Sequence, residues 1–163
     1  MEEEAKMEPK RVQESVTYMS MMMLPDDANP VGNVHGGVIL KQVDTCGGVV
    51  AARHARANVV TASIDRVDFH NPCYVGNLLI LNGSLNHVGR SSMEVGVRVE
   101  AENVINGERK HIASAYLTLV ALDGNRRPMP VPRLLLETEE EKRRYREAEA
   151  RRAQRLQERG QPD

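Results

Sequence analysis

One helix governs what this chain can fold into. Residues 36–55, opening Gly36-Gly37-Val38-Ile39-Leu40, form the single long apolar stretch with helical spacing, and the segments that follow read as strands. At about 100° per residue, Ile39, Val43, Cys46 and Val50 share one arc, with Leu40, Gly47 and Ala51 beside it. Val38 and Val49 widen the arc further. Only a sheet curved around the helix can cover so much apolar surface. The expected class is therefore α+β: one antiparallel sheet wrapped on one central helix. The open edges of such a sheet invite pairing with a second copy of the chain.

The strands are read from turns and period. Residues 15–24, with Val16, Tyr18 and a run of methionines, give the first strand, whose Met19, Met21, Met22 and Met23 suit adaptable core or acyl-pocket filling rather than cofactor binding. Pro25-Asp26-Asp27-Ala28-Asn29-Pro30 is a loop by composition. After the helix, residues 59–70 alternate, but Val60, Ala62 and Ile64 share one parity while Val67 and Phe69 take the other. That slip predicts a bulge near Asp65. Residues 78–88, a strand starting near Met93, and 111–122 complete the set, with Asn106-Gly107 as a hairpin signal. In the strand starting near Met93, Glu94, Arg98 and Glu100 are read as the polar partners of Met93, Val95, Val97 and Val99. The chain divides into a charged, mobile start over 1–14, a domain over 15–136 and a charged helix or tail over 137–163. That last segment carries Glu139/Arg143, Glu140/Arg144 and Glu147/Arg151 at helical spacing. Its weak apolar stripe, Tyr145, Ala148, Ala153 and Leu156, predicts a solvated helix that lies on a surface or frays.

The helix start carries the chemistry. The first backbone N–H groups of a helix lack internal partners, and the dipole is positive there. Gly36 and Gly37 leave that backbone bare enough for a ligand to approach, so it can hold an anion or an oxygen that becomes one. Asn33 and His35 sit in the polar loop just before it. Two turns on, Asp44 lies at the rim of the apolar arc beside the small residues Gly47, Gly48 and Ala51, which leave a groove at the carboxylate. Asp44 suits a general base or a carboxylate nucleophile. The N–H of Gly37, with that of Gly36, suits the developing oxyanion, and Asn33 can orient a water or bond the carbonyl oxygen. His35 reads as a loop residue, because no serine or cysteine partnered as a nucleophile stands nearby. Arg90, Ser91 and Ser92 form a basic, hydroxyl-bearing turn suited to phosphates. Asp65 and Asp68 read as structural, bonding the helix start or a partner chain.

Composition narrows the function. A net charge of −1 gives no general attraction to nucleic acid. With no Trp and one Phe, base-stacking platforms cannot be built. The histidines show no metal-ligand spacing, and no apolar run is long enough to span a bilayer. Cys46 and Cys73 fit a reducing compartment better than a disulfide framework. The acidic opening, Met1-Glu2-Glu3-Glu4, lacks the apolar core of a secretory signal.

Several separated motifs, in order, carry a resemblance: Gly32-Asn33-Val34-His35-Gly36-Gly37 with Asp44, then Val60-Thr61-Ala62-Ser63-Ile64-Asp65 and Phe69-His70, then Arg90-Ser91-Ser92-Met93-Glu94, then Pro130-Val131-Pro132. Together they resemble the hotdog-fold acyl-CoA thioester hydrolases, the group of cytosolic long-chain (brain-type) hydrolases and their single-domain bacterial relatives. The resemblance implies a hotdog fold and hydrolysis of fatty acyl-CoA to free acid and coenzyme A. It implies no cofactor, since coenzyme A arrives with the substrate, and a cytoplasmic location. It also implies dimers assembled as trimers of dimers, with Asp44 as the catalytic carboxylate and Asn33 as the loop asparagine completing the site of the neighbouring subunit. Gly36, His35, Arg90, Ser91 and Ser92 become substrate-binding candidates, with no nucleic-acid partner and no membrane insertion. Two rivals are weighed. A hotdog dehydratase needs a His-Phe-Pro loop where this chain has His35-Gly36-Gly37. A non-catalytic acyl-CoA sensor would need neither Asp44 nor Asn33.

Overall fold

The computed structural model describes residues 7–160; the acidic opening and its reading as a non-signal lie outside them. Among the described residues the strands and α-helices follow in the order β1 (Lys10–Arg11), β2 (Thr17–Met22), α1 (Gly36–Ala55), β3 (Asn58–Ile64), β4 (Asn77–Val88), β5 (Ser92–Asn103), β6 (Arg109–Leu122), β7 (Leu134–Leu135) and α2 (Glu139–Arg159). Five strands form one antiparallel sheet in the order β2-β4-β5-β6-β3, and α1 contacts every one of them. This is the expected α+β hotdog arrangement.

Helix α1 begins where the glycines begin. His35 is its N-cap, and the ring Nδ1 accepts the Gly37 N–H at 2.8 Å. It ends at Arg56, which takes the left-handed conformation at φ 51°. Ile39, Val43, Cys46, Gly47, Val50, Ala51 and His54 are buried against the inner face of the sheet. The approach is close because Gly83 on β4 has no side chain: a Cβ there would stand 2.8 Å from Cys46 Sγ and 2.9 Å from Val50. The facing strand residues Leu79, Leu81, Val95, Val97, Leu117 and Leu119 alternate with outward ones and complete the core.

The structure departs from the sequence reading in four places. The N-terminal stretch expected to be mobile is built into the fold from Lys10, where β1 pairs in parallel with β7 and Val12 is buried. Lys10 Nζ also donates to the His54 carbonyl at 2.7 Å, closing the end of α1. The bulge lies earlier than expected, between Thr61 and Ser63, and the β3 ladder stops at Ile64. The chain beyond it runs beside β6 through single bonds, Asp65 N–H to Tyr116 O and His70 N–H to Ile112 O. Glu94, read as a polar partner on a strand, is buried on the outer face. Helix α2 covers it, and the seam of that helix keeps Tyr145 and Ala148 of the expected stripe but not Ala153 and Leu156, which are exposed. The seam runs through Tyr145, Ala148, Arg151 and Arg155, three to four residues apart, with the Tyr145 ring tilted against His87. A polar seam of this kind is invisible to an apolar pattern, since its partner is a buried carboxylate.

Candidate functional site

Asp44 is half-buried on the third turn of α1, on the flank that faces β3. Its Oδ1 accepts the hydroxyl proton of Thr61 at 2.6 Å, the length usual for a hydroxyl donating to a charged carboxylate. Thr61 lies on the outermost strand, with its side chain exposed, so the pair sits at the open edge of the sheet. Of the small residues beside Asp44, Gly47 serves packing, where a Cβ would meet Leu117 at 3.3 Å, and Ala51 is buried too. Gly48 alone faces open space, so the expected groove is narrower than the sequence suggests. Thr61 is the residue that sequence reasoning missed. Its place in the Val60–Asp65 motif was the signal, but an edge-strand threonine carries no pattern that aims it at a helix 17 positions away.

The helix start differs in one respect from the expectation. The Gly37 N–H, assigned to the oxyanion, is taken by His35 Nδ1. The Gly36 N–H has no acceptor among the described residues, and it is the donor left for a ligand. Phe69 overlies this point, 3.6 Å from where a Gly36 Cβ would stand. His35 is thus a capping residue, held in place by its own N–H donating to Asp27 O at 2.7 Å. In the preceding loop Asn29 is the hub: its Oδ1 accepts from Val31 N–H at 3.1 Å and from Asn33 N–H at 3.2 Å. The Asn29 Nδ2 donors have no acceptor among the described residues. Asn33, half-buried, pairs through its backbone with Tyr74.

These parts are not together within one chain. Gly36 and Asp44 stand eight positions apart on one helix, about 12 Å along its axis at 1.5 Å per residue. A nucleophile or base and an oxyanion donor must both lie within about 3 Å of one reacting carbonyl. The turn of Arg90, Ser91 and Ser92 is farther still. Its Arg90 and Ser91 carbonyls bond Val131 and Ala121, at the C-terminal end of α1 where His54 Nε2 meets Pro132 O at 2.7 Å. A 20-residue helix, about 30 Å long, separates that turn from Gly36. Cavities of about 230 and 670 Å³ lie under α2 on the outer face, and neither is lined by Asp44, Gly36 or Gly37. Asp65 accepts from Arg155 of α2 at 2.9 Å rather than bonding the helix start, and Asp68 pairs with Arg66.

Other chemistries find little support. Burial pushes the thiols of Cys46 and Cys73 up to about 11, which leaves neither a nucleophile at neutral pH. Among the described residues no group of three or more His, Cys, Asp or Glu is placed to hold a metal, and no helix is long and apolar enough to cross a membrane.

The model of the thioesterase superfamily matches residues 31–107. The cytosolic acyl coenzyme A thioester hydrolase of Mus musculus is 40% identical over 146 residues, 88% of this chain but 38% of that protein. The chain thus spans well under half the length of that relative. An apo-hexameric acyl-CoA thioesterase superposes with a TM-score of 0.89 at 42% identity, over 93% of this chain and 97% of that one. An acyl-CoA hydrolase of Staphylococcus aureus, solved in complex with butyryl coenzyme A, coenzyme A and coenzyme A disulfide, superposes with a TM-score of 0.82 at 35% identity, over 93% and 94% of the two chains. Variants of that enzyme have been solved with an asparagine, an aspartate and a threonine each replaced by alanine; the aspartate follows the asparagine by fifteen residues and precedes the threonine by seventeen.

Proposed function

The chain belongs to the thioesterase superfamily, and from that premise we propose that it hydrolyses fatty acyl-CoA to free fatty acid and coenzyme A. The observation that carries the proposal is the Asp44 carboxylate, oriented by Thr61 on a glycine-opened helix whose first N–H is unsatisfied. Asp44 either attacks the thioester carbonyl itself, forming an anhydride that water then hydrolyses to the free acid, or removes a proton from the water that attacks. The charge that develops on the carbonyl oxygen goes to the Gly36 N–H at the positive end of a helix. Coenzyme A leaves as the thiol once its sulfur takes a proton. No cofactor enters the scheme.

The 12 Å between Gly36 and Asp44 favours a site made by two copies, in which the helix start of one faces the carboxylate of the other. The exposed edge strand supports this, with the apolar side chains of Val60 and Ile64 45% and 40% exposed. A second copy docked there buries these apolar side chains against its own, and hexamers are known for the relatives. Each interface then has Asp44 from one copy and the loop and glycines from its partner. The Arg90-Ser91-Ser92 turn can meet coenzyme A phosphates only if it too comes from another copy, or if the extended nucleotide reaches along α1.

Counted from Asp44, the intervals of the Staphylococcus aureus variants fall on Asn29 and Thr61. Thr61 is the residue found bonded to Asp44. Asn29 therefore takes the role first given to Asn33, with its free Nδ2 donors aimed at the carbonyl oxygen or the water, while Asn33 shapes the loop. The name of the mouse relative, a cytosolic hydrolase, supports a cytoplasmic location. The test is thiol release from acyl-CoAs of short to long chain, by the wild type and by Asp44→Ala. Release that collapses in the variant, with the oligomer intact, supports the hydrolase and shows the preferred chain length. Binding of acyl-CoA with no release from any chain length sinks the hydrolase and leaves the sensor.

A further inference from the structure

Strand β3 is the weakest element that touches the site. It has seven residues, it pairs only with β6, and its ladder is interrupted at Ala62. That interruption has a geometric effect. Thr61 stands opposite Leu119, which faces the core, so its hydroxyl points inward to Asp44. Past the extra residue the parity reverses: Ser63 stands opposite Thr118 on the outer face, and Asp65 follows on that same side. Without the bulge, Thr61, Ser63 and Asp65 would share one face. With it, one short strand holds the carboxylate on its inner side and α2 on its outer side.

On the outer side the grip is ionic and largely dry. Arg155 Nη1 donates to Asp65 Oδ2 at 2.9 Å, with both side chains about one-fifth exposed. The same guanidinium reaches Glu94 Oε2 at 3.4 Å. Glu94, 3% exposed, also takes Arg151 at 2.7 Å and the Asn86 amide at 3.2 Å. Arg151 in turn lies over the Tyr116 ring at 3.7 Å. The network ties α2 to β5 through Glu94, to β6 through Tyr116 and to the end of β3 through Asp65.

We propose that Arg155 is a positioning residue for the reaction: by holding Asp65 it fixes the end of β3, so that Thr61 stays in register with Asp44. The inference deepens the hydrolase reading and rests on it. Arg155 touches neither substrate nor Asp44; its effect passes through four residues of strand. Removing it leaves Glu94 paired with Arg151, so the buried carboxylate is not stranded.

The experiment is a double-mutant cycle in thiol release. Arg155→Met in the wild-type background lowers kcat about 10-fold with KM within about twofold, since misplacing a catalytic group costs rate rather than binding. In a Thr61→Val background, where Asp44 has already lost its partner, the same change lowers kcat less than about twofold further. Arg155→Lys, which can still reach Asp65, restores part of the loss. Equal losses in both backgrounds, or unchanged kcat in Arg155→Met, overturn the proposal, whatever happens to the melting temperature. If the wild type releases no thiol from any acyl-CoA, the hydrolase reading has failed on its own. The clamp is then judged by hydrogen exchange: Arg155→Met must speed exchange of the Asp65 amide and the β3 amides while leaving β2 unchanged. Uniform or absent acceleration overturns it.

Discussion

Replacing Thr61 by valine isolates the hydroxyl that holds Asp44. Valine keeps the branched shape and suits an edge strand as well as threonine does, so the backbone of β3 is expected to stay where it is. What is lost is one hydrogen bond to a carboxylate, 2.6 Å long. Such bonds contribute about 1.5 to 3 kcal/mol when shielded. Thr61 is exposed in the single chain, so water can replace part of the interaction, and about 1.5 kcal/mol is the expected loss of orientation. At 1.36 kcal/mol per decade, kcat falls about 10-fold. KM stays within about twofold, because the hydroxyl positions Asp44 rather than the acyl chain. The assay is steady-state thiol release across acyl-CoA concentrations, with melting temperature and oligomer mass measured on the same samples. An unchanged kcat refutes the reasoning, as does a loss confined to KM.

The remaining predictions concern the frame that carries the site. Gly83→Ala places a methyl 2.8 Å from Cys46 Sγ, against a helix that cannot shift without disturbing the whole inner face; thermal unfolding should show a loss of about 1 to 3 kcal/mol. Glu94→Ala leaves Arg151 and Arg155 without their shared buried carboxylate, and urea titration should show a loss of about 3 kcal/mol, with α2 amides exchanging first. Acid should act through His54, whose imidazole is held below its usual range, chiefly by burial, with Nδ1 lacking a partner among the described residues. Above about pH 6.5 both folded and unfolded chains keep it neutral; below that the unfolded chain takes the proton and the folded one resists. Stability therefore falls as pH drops below about 6.5, and it falls less in His54→Gln, which urea midpoints at several pH values will show.

The helix was the most legible part of the sequence, because Ile39, Val43, Cys46 and Val50 repeat at its period and the glycines and His35 mark its start. The strands were nearly as clear. What escaped had long-range causes. Nothing local in Lys10–Arg11 announces pairing with Leu134–Leu135, since two residues carry no period. Glu94 looks like any outward residue of an alternating strand until α2 covers it. Asp44 stood out as a carboxylate among small and apolar neighbours, whereas Thr61 became a site residue only when the β3 edge met the helix. The helix-start donors could be named in advance, but not that the imidazole of His35 would occupy one of them, because the ring conformation belongs to the folded loop.

The account stands or falls on a site shared between two copies, and subunit complementation tests that most directly. Asp44→Ala and Asn29→Ala chains are prepared separately, each inactive in thiol release, then unfolded together and reassembled. If Asp44 of one copy works with the loop of its partner, every mixed pair has one intact site and one doubly altered site. Random mixing should then recover about a quarter of wild-type activity. Recovery of that order supports the shared site. Oligomers that contain both chains but release no thiol would mean that each chain builds its own site, which contradicts the account.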